Sequence, residues 1–385
     1  MITIKDVSIE NKKVLIRCDF NVPTNNGIIT DDSRIIKSIP TIKYALKYAS
    51  KIIIISHFGR IKTEDDLKKY SLKIVCNRLS ELLNQKIKFC TYDMNIKNEI
   101  EKNKIVMLEN TRYFDLDNNK ESCNNEELSN FFASLADVYI NDAFGACHRD
   151  AASITGISSM LPSAIGFLVE EEINKLSELF NPERPFVLVL GGSKVSDKIG
   201  IISNLIDKVD NIIIVGAMAF TFLKANNIET GKSIIDNESL NYARNLLDKY
   251  PNKIVLPKDI YISDDINSNT KNIVSIDNID KDMIGLDIGP KTINNINEIL
   301  RDAKSVFLNG PAGAYENDTF SYGTKELFNI LSKVNAKVII GGGDSASAAI
   351  KFGFKDSFYH ISTGGGASLE FLEGKGLKGL RYIGE

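Results

Sequence analysis

Ten short runs rich in Val, Ile, Leu and Phe, each ending in glycine or polar residues, constrain the fold of this 385-residue chain most. In chain order they are "VLIRCDF", "KIIIISHFGR", "IVMLENTRY", "VYINDAFG", "PFVLVLGGSK", "NIIIVGAM", "KIVLPKD", "SVFLNGPAG", "KVIIGGGDS" and "FYHISTGGG". Strands that are apolar on both faces are typical of parallel sheets covered by helices. Helix-length segments such as residues 33–49 and 126–136 separate the runs. This alternation predicts an α/β fold with open parallel sheets.

One helix-like segment divides the chain. The stretch "LPSAIGFLVEEEINKLSELFNPERP" predicts a single amphipathic helix from about Ser163 to Phe180, closed by two X-Pro breakers. We therefore predict two doubly wound, Rossmann-like domains joined by a hinge helix. The expected boundaries are 1–162 for the first domain, 163–181 for the hinge helix, 182–368 for the second domain and 369–385 for a C-terminal segment packing back toward the first domain.

Composition excludes several classes of function. The formal net charge is −3, so no overall positive field favours nucleic acid or a membrane surface as a partner. The five cysteines are widely spaced and form no Cys-x-x-Cys pair, which argues against a disulfide framework and a zinc site. No apolar stretch approaches the roughly 18 residues of a membrane span, and the first residues do not resemble a signal peptide. We expect a cytoplasmic protein.

Basic residues follow the strands of the first half. Open parallel sheets bind ligands beyond the carboxyl ends of their strands. Five arginines and two histidines lie at such positions, together with two other polar residues: Arg17, Asp19, Asn21, Arg34, His57, Arg60, Arg112, His148 and Arg149. For any one arginine alone, a surface ion pair is the commoner explanation. Together they predict a site for a small, multiply anionic ligand, because guanidinium groups bind carboxylate and phosphate in bidentate fashion.

Glycine-rich turns follow the strands of the second half. "GGSKVSDKIG" is expected to place Lys194 and Lys198 at i and i+4 on the first turns of a helix. "LNGPAGAYE", "GGGDSASAA" and "STGGGASLE" are three strand–glycine junctions, two of them followed by helix-like residues. Any single junction is equally consistent with a plain tight turn. Their number favours a nucleotide-sized anion site, since backbone N–H groups and helix N-termini attract phosphate.

A dinucleotide-binding loop is the competing interpretation of one of these turns. Residues Gly341 to Ala346 satisfy the pattern Gly-x-Gly-x-x-Ala. That fold also needs an acidic residue about 20 positions later, where this chain reads "ISTG". The turn therefore favours a mononucleotide.

Nine segments taken in order resemble the signature segments of the phosphoglycerate kinase family, from about residue 3 to residue 380. They are "RCDFNVP", "SHFGR", "LENTR", "NDAFGACHR", "LGGSKVSDKI", "GLDIGPKT", "NGPAGAYE", "GGGDSA" and "STGGGASLEFLEGK". The resemblance implies a two-domain, typically monomeric glycolytic enzyme. Its first domain would bind 3-phosphoglycerate or 1,3-bisphosphoglycerate, and its second would bind ADP or ATP with Mg²⁺.

The resemblance also implies roles for matching residues. The glycerate ligands would be Asp19, Asn21, Arg34, His57, Arg60, Arg112 and Arg149, with Asp19 and Asn21 at the hydroxyl and carboxyl end. The nucleotide ligands would be Gly192, Lys194, Lys198, Gly285, Asn309, Glu316, Gly342, Gly343, Asp344 and Ser345. Asp344 would face the magnesium ion and Glu316 the ribose. Arg34, Lys194 and Lys198 are the expected catalytic residues.

The chemistry of such a reaction agrees with these residue types. The attacking carboxylate is already ionised near neutral pH, so no general base is required. The transition state needs neutralisation of charge on the transferring phosphoryl oxygens and in-line positioning. Closure about the hinge helix is expected to bring the ligands together and exclude water.

The chain departs from the family's usual pattern at several positions. Asp150 and Ala151 lie where a second histidine is common, so the basic patch is thinner. Ala217 lies where glycine is usual, and Ser345 where threonine is more frequent. Two alternatives stay open: an acyl-phosphate kinase for another small carboxylate, and a catalytically silent nucleotide-binding protein.

Overall fold

Parallel strand pairing organises both halves of the chain. The computed structural model describes residues 1–384, which cluster into two units. The first unit is Met1–Asn174 together with the described part of Gly376–Glu385, and the second is Lys175–Lys375.

The first unit carries one six-stranded parallel sheet and a short hairpin. Its strands are β1 Lys13–Cys18, β2 Thr24–Asn25, β3 Ile28–Ile29, β4 Lys51–Ile55, β5 Lys88–Cys90, β6 Ile105–Leu108, β7 Val138–Asp142 and β8 Ser163–Ile165. Its helices are α1 Ser33–Tyr48, α2 Glu64–Lys69, α3 Lys73–Leu83, α4 Ile96–Lys102, α5 Glu126–Ala133 and α6 Phe167–Ser177, which continues into the second unit. The sheet order is β5-β6-β4-β1-β7-β8, and β2 pairs with β3.

Alternate residues of the central strands enter different hydrophobic cores. Ile52 and Ile54 of β4 pack in the core that also contains α1 and α3, whereas Ile53 and Ile55 pack in the core with α4 and α5. All four side chains are essentially inaccessible to solvent. The sheet is therefore covered on both faces, as the apolar runs predict.

The second unit repeats this plan and adds a smaller sheet. Its strands are β9 Phe186–Leu190, β10 Asn211–Ile214, β11 Ile254–Val255, β12 Asp259–Ser263, β13 Asn272–Ser275, β14 Ile284–Ile288, β15 Ser305–Asn309, β16 Lys337–Gly341 and β17 His360–Ile361. Its helices are α7 Ile199–Leu205, α8 Met218–Ala225, α9 Leu240–Lys249, α10 Pro290–Leu300, α11 Tyr322–Leu331, α12 Gly343–Lys351 and α13 Gly366–Leu372. The main sheet, β11-β10-β9-β15-β16-β17, is parallel throughout, and β13-β12-β14 is antiparallel. Two parallel, Rossmann-like sheets confirm the predicted fold class.

The predicted helix from Ser163 to Phe180 is wrong at both ends. Residues 163–165 form β8, and the α-helix runs only over Phe167–Ser177, followed by a 3₁₀ turn at Glu178–Phe180. β8 pairs in parallel with β7, in the register Ile140 to Ala164. The open edge of β7 supplies backbone hydrogen-bond partners to these three residues, and these bonds outweigh the helical preference that the amphipathic pattern indicates.

Two further expectations need correction. The polar stretch "DDINSNTKNI", residues 264–273, is typical of a solvated loop and predicts one, but its last two residues begin β13, because β12 offers them an antiparallel partner. The C-terminal segment is predicted to leave the second domain at residue 369, but residues up to Lys375 cluster with the second unit. The reason is that α13 packs against α7 within that unit, where Asn204 donates to the carbonyl of Leu372 at 2.8 Å.

Asp142, the last residue of β7, has a buried carboxyl group that contacts the first turn of α6. Its Oδ1 accepts a hydrogen bond from the N–H of Leu168 at 3.0 Å, while its buried Oδ2 has no partner among residues 1–384. Burial raises the pKa of Asp142 to about 8, and the hydrogen bonds it accepts only partly oppose this. The carboxyl is therefore protonated in the folded protein near neutral pH, whereas in the unfolded chain it ionises at about pH 4.

This difference predicts a pH-dependent stability of the first unit. The folded state binds the extra proton, so the free energy of unfolding falls as pH rises from about 4 toward about 8. Between about pH 5 and about pH 8, we expect the wild type to lose at least about 1 kcal/mol more than Asp142→Asn, which has no proton to lose. Urea unfolding at the two pH values measures the difference, and parallel pH profiles of the two proteins would contradict it.

Candidate active site

In the first unit, the residues predicted to bind anions follow strands that are neighbours in the sheet. β1 pairs with β4 on one side and with β7 on the other, so the chain direction across the sheet reverses at β1. Such a switch point opens a crevice at the carboxyl edge. Asp19 and Asn21 follow β1, His57 and Arg60 follow β4, and Arg149 follows β7.

Gly59, in the turn after β4, connects this turn to the segments that follow β1 and β6. The N–H of Gly59 donates to Asn21 Oδ1 at 2.9 Å, and its carbonyl accepts from the Arg112 guanidinium. Gly59 has φ +58°, and a Cβ there would collide with the ring of Tyr70. Only glycine fits this turn without strain, so the "SHFGR" turn is held by its backbone.

Asp19 links the first strand to the first helix. It is 6% exposed and forms an ion pair with Arg34, the second residue of α1. Its other oxygen accepts from the N–H of Asn21 at 3.3 Å. The ion pair orients the Arg34 side chain at the carboxyl edge of the sheet.

A cavity of about 330 Å³ opens among the basic residues of the first unit. Its lining includes three of the predicted ligands, His57, Arg112 and Arg149, together with Arg17 and His148. Arg60 is exposed and does not line it, and neither do Asp19, Asn21 and Arg34. The structure thus brings one subset of the predicted residues into a cavity and leaves the rest on the adjoining edge.

His57 is a neutral hydrogen-bond donor in this cavity. The pKa of its imidazole lies well below the ordinary value because burial disfavours the charged ring, and because Arg17 and Arg149 are close. A guanidinium can only donate, so the 3.0 Å contact between Arg17 Nη2 and His57 Nδ1 makes Nδ1 the acceptor. The proton of the neutral ring is then on Nε2, which can donate to an anion.

Burial and the same excess of positive charge lower the pKa of Arg149. Its pKa is lowered first by burial and then by Arg17 and Arg60, with only Asp19 acting in the opposite direction. An anion bound among these groups would relieve their mutual repulsion.

Arg17, which is 2% exposed, is held by a network that the sequence did not predict. Its Nε donates to Ser153 Oγ at 3.0 Å, and Ser153 in turn donates to the carboxylate of Glu121 through its hydroxyl. The backbone N–H of Ser153 also donates to Glu121, at 3.1 Å. Burial raises the pKa of Glu121, while Arg17 and Ser153 act to lower it. Glu121 comes from an Asn-rich stretch that reads as a solvated loop, so only its tertiary surroundings reveal it.

In the second unit, glycine turns meet at the switch point between β9 and β15. The N–H of Gly191 donates to the carbonyl of Asn309 at 2.9 Å, and the N–H of Gly192 to that of Pro311 at 3.2 Å. A Cβ at Gly191 would collide with the Pro311 carbonyl, and one at Gly310 would collide with the Gly191 carbonyl. The two turns can approach this closely only without side chains.

Lys198 and Asn309 occupy the same switch point. The Lys198 ammonium donates to Asn309 Oδ1, and Asn309 Nδ2 donates to the carbonyl of Gly341 at 2.8 Å. Burial lowers the pKa of Lys198, while Asp197, Asp344 and Glu373 oppose that effect. The ammonium is thereby fixed between the turns after β9, β15 and β16.

Lys194 does not share a helical face with Lys198, contrary to expectation. Residues 196–198 form a 3₁₀ turn and α7 begins at Ile199, so the exposed Lys194 lies in the preceding loop. Gly192 has φ +96°, and the N–H of Ser196 donates to Asp236 Oδ2 at 2.9 Å. The left-handed glycine and this acceptor from another loop delay the start of the helix.

The turn "GGGDSA" opens α12. Gly342 has φ +88°, and no side chain caps the helix after it. Ser345 is buried and accepts from the N–H of Gly310 at 2.7 Å, so it joins this turn to the one after β15. Asp344 is exposed in the first turn of α12. Uncapped N–H groups beside a carboxylate and an ammonium suit a phosphate with a bound cation.

Two other predicted nucleotide ligands have different surroundings. Gly285 is buried in β14, where the absence of a Cβ makes room for the Phe220 ring of α8. Glu316 is exposed beyond the turn after β15, and its carbonyl accepts from the Lys351 ammonium at 3.2 Å. Ala217, where glycine is usual, has φ −65°, a conformation that alanine adopts freely.

Residues 4–375 match the family model described as phosphoglycerate kinase. The chain is 45% identical over 390 residues to the phosphoglycerate kinase of Macrococcus caseolyticus, covering 99% of this chain and 98% of that one. It is 47% identical over 391 residues to that of Fusobacterium nucleatum, with the same coverage.

The chain belongs to the phosphoglycerate kinase family. This confirms the resemblance of the nine segments, and it identifies the protein as a kinase by family. Two solved phosphoglycerate kinase structures share this fold over almost their whole length. The structure of the Coxiella burnetii enzyme superimposes with a TM-score of 0.87 at 36% identity, covering 99% of this chain and 98% of that one. The Pyrococcus horikoshii enzyme gives 0.86 at 29% identity, covering 100% and 98%.

Residues 1–384 lack two features. None of their helices is long and apolar enough to cross a membrane. No group of three or more His, Cys, Asp or Glu side chains in the same range is arranged to hold a metal ion.

Gly310→Ala should destabilise the second unit. Its φ of +100° strains any L-residue, and the added Cβ would collide with the Gly191 backbone. We expect the free energy of unfolding to fall by at least about 2 kcal/mol. Gly343→Ala is the matched control, because a Cβ there meets nothing within 4 Å and the position is helical. Urea unfolding measures both, and equal stability of the two variants would contradict the close approach of the turns.

Proposed function

We propose that this chain catalyses the reversible, magnesium-dependent transfer of a phosphoryl group between 1,3-bisphosphoglycerate and ADP, giving 3-phosphoglycerate and ATP in glycolysis. The observation that carries the proposal is the cationic cavity at the switch point of the first unit, in a chain of this family. Arginines and a neutral histidine donor converge there on a space of about 330 Å³, and most of them follow strands of the parallel sheet. This is the chemistry that recognises a small phosphorylated carboxylate.

The glycerate is proposed to bind along the carboxyl edge of the first sheet. His57, Arg112 and Arg149 inside the cavity, with Arg60 at the adjoining edge, would bind the remote phosphate. Asp19 and Asn21 would bind the hydroxyl and carboxyl end. Arg34, oriented by its ion pair with Asp19, would then lie toward the reacting carboxyl.

The nucleotide is proposed to bind to the glycine turns of the second unit. The backbone of Gly192 and of Gly342 to Ser345 would donate to its phosphates, with Lys194, Lys198 and Asn309 as side-chain donors. Glu316 would bind the ribose. Gly285 would line the part of the site that holds the adenine base, where its lack of a Cβ lets the Phe220 ring pack closely.

Asp344 fits a magnesium ion that the nucleotide carries. It is exposed in the first turn of α12, and its carboxylate forms neither a hydrogen bond nor an ion pair with the side chains of residues 1–384, although its charge acts to raise the pKa of Lys198. Proteins commonly bind Mg²⁺ through one or two carboxylates plus substrate phosphates, so a single carboxylate is sufficient. When bound, the ion would neutralise negative charge on the phosphate oxygens.

The residues act by positioning and charge, without a general base. The attacking carboxylate of 3-phosphoglycerate is ionised near neutral pH, so no proton has to be removed. Arg34, Lys194 and Lys198 would neutralise charge that spreads over the transferring oxygens. The glycerate and nucleotide must come within reach of each other, and we propose that α6, whose residues belong to both units, acts as the hinge. We further propose that the enzyme acts as a cytoplasmic monomer on these small molecules, without nucleic acid or membrane.

One assay tests the function directly: formation of ATP from ADP and 1,3-bisphosphoglycerate in the presence of Mg²⁺. Turnover that disappears when Mg²⁺ is chelated would support the proposal. Folded protein that binds ADP without any turnover would refute it and favour the silent nucleotide-binding alternative. Turnover only with another acyl phosphate would favour a kinase for a different carboxylate.

Arg34→Ala should lower turnover far more than it weakens nucleotide binding. We expect kcat to fall at least about 100-fold, the usual loss when one donor to a charged transition state is removed. The Kd of ADP should stay unchanged, because Arg34 belongs to the first unit. Arg301→Ala removes an exposed arginine of the second unit and is the control for general charge effects. Steady-state kinetics and calorimetric titration measure the two quantities, and a loss confined to ADP binding would refute this role.

Gly343→Ala should weaken ADP binding without destabilising the ligand-free protein. An added Cβ meets no protein atom within 4 Å, so the obstacle it creates concerns only a ligand on the turn. We expect the Kd of ADP to rise about tenfold, a typical cost of crowding a fitted contact. Gly376→Ala has equally open surroundings in the first unit and should leave the Kd unchanged. An unaltered Kd in Gly343→Ala would place the phosphates elsewhere.

A further inference from the structure

The C-terminal segment, which clusters with the first unit from Gly376 onward, contributes one more cationic residue to that unit, Lys378. Lys378 begins a 3₁₀ turn, Lys378–Leu380, and the backbone of the next residue anchors that turn. The N–H of Gly379 donates to the carbonyl of Cys147 at 2.7 Å, and its own carbonyl accepts from Asn141 Nδ2 at 3.1 Å. A Cβ at Gly379 would be only 2.6 Å from a methyl group of Ile154. The turn is therefore closely packed, and the backbone position of Lys378 is fixed.

Lys378 lines the same cavity as His57, Arg112 and Arg149. Its ammonium forms no ion pair or hydrogen bond with any part of residues 1–384. Its positive charge thus adds to those of the arginines and is not neutralised within the protein. Such a concentration of like charge is favourable only when a counter-charge is present.

The two acidic residues in the cavity wall already have other partners. Glu121 accepts from the hydroxyl and the N–H of Ser153. Asp150 accepts from Asn124 Nδ2 at 2.9 Å and from the Thr155 hydroxyl. Both carboxylates are therefore held by neutral donors, and the Lys378 ammonium is available to a ligand.

A second observation also indicates a ligand in this cavity. His148 lines it, and the buried Nδ1 of His148 has no hydrogen-bond partner among residues 1–384. Buried polar atoms without a partner are rare, and a bound ligand or water commonly satisfies them.

We propose that Lys378 is a further substrate-binding residue. It contacts the phosphate group of the glycerate substrate from the wall of the cavity that the C-terminal segment forms. This inference rests on the proposed function, since it takes the cavity to be the phosphate site. A lysine ammonium lies at the end of a flexible side chain and binds a phosphate as a point charge, whereas the planar guanidinium groups of the arginines bind it in bidentate fashion.

Lys378→Gln tests the assignment. We expect the KM for 3-phosphoglycerate to rise about three- to tenfold, the range for one charge-assisted contact at an exposed position. The KM for ATP and kcat at saturating substrate should change less than twofold, because a binding contact far from the reacting carboxyl acts alike on the bound substrate and the transition state. Lys378→Arg keeps the charge and should restore most of the affinity.

Arg381→Gln is the matched control. It removes the same charge from the same segment three residues later, where the side chain is exposed and outside the cavity lining. An unchanged KM for 3-phosphoglycerate in this variant would support a specific contact. An equal rise in both variants would show a general field effect and overturn the assignment, as would a wild-type KM in Lys378→Gln.

Calorimetric titration of 3-phosphoglycerate into the nucleotide-free protein separates this inference from the proposed function. A wild type that binds 3-phosphoglycerate but does not turn over would refute the function, while weaker binding in Lys378→Gln would still support the contact. Normal turnover in the wild type with equal binding to both proteins would refute the contact alone. Thermal unfolding of each variant checks that the fold is intact.

Discussion

Burial of both faces of two parallel sheets is the constraint on which the rest of this structure depends. Ile52 and Ile54 enter one core and Ile53 and Ile55 the other, so the central strands offer no polar surface except at their ends. Parallel strands all end at one edge, and a change of chain direction opens a crevice there. In both units the crevice adjoins the first strand, β1 or β9, and many of the residues predicted to bind ligands lie around it.

The two units place different chemistry at the same architectural position. The first relies on side chains: Arg17, Arg112 and Arg149 surround a cavity whose charge only Glu121 and Asp150 oppose in its lining. The second relies on the backbone, because Gly191 and Gly310 approach too closely for any side chain. A small phosphorylated acid suits fixed guanidinium groups, whereas the phosphate chain of a nucleotide suits a series of N–H donors at helix N-termini.

Much of the candidate site could be proposed from the sequence because its residues follow apolar runs. His57 and Asp344 lie two and three residues beyond a strand end, and Asn309 is the last residue of its strand, so the sheet fixes the edge at which they lie. The errors arose where partners distant in sequence decide local structure. Ser163 to Ile165 reads as helix, but the edge of β7 makes it a strand. Lys194 reads as helical, but a left-handed glycine and a carboxylate from another loop hold it outside α7.

The sequence by itself determined the α/β class, ten strands of the two main sheets and the glycine turns that follow several of them, because hydrophobic period and glycine placement are local properties. Only the tertiary structure decided which charged groups meet. Glu121 lies 32 residues from Ser153, and Asn141 contacts a carbonyl 238 residues away in Gly379. Electrostatic interactions act through space and depend on burial, so the neutral state of His57 and the place of Lys378 in the cavity follow only from the folded chain.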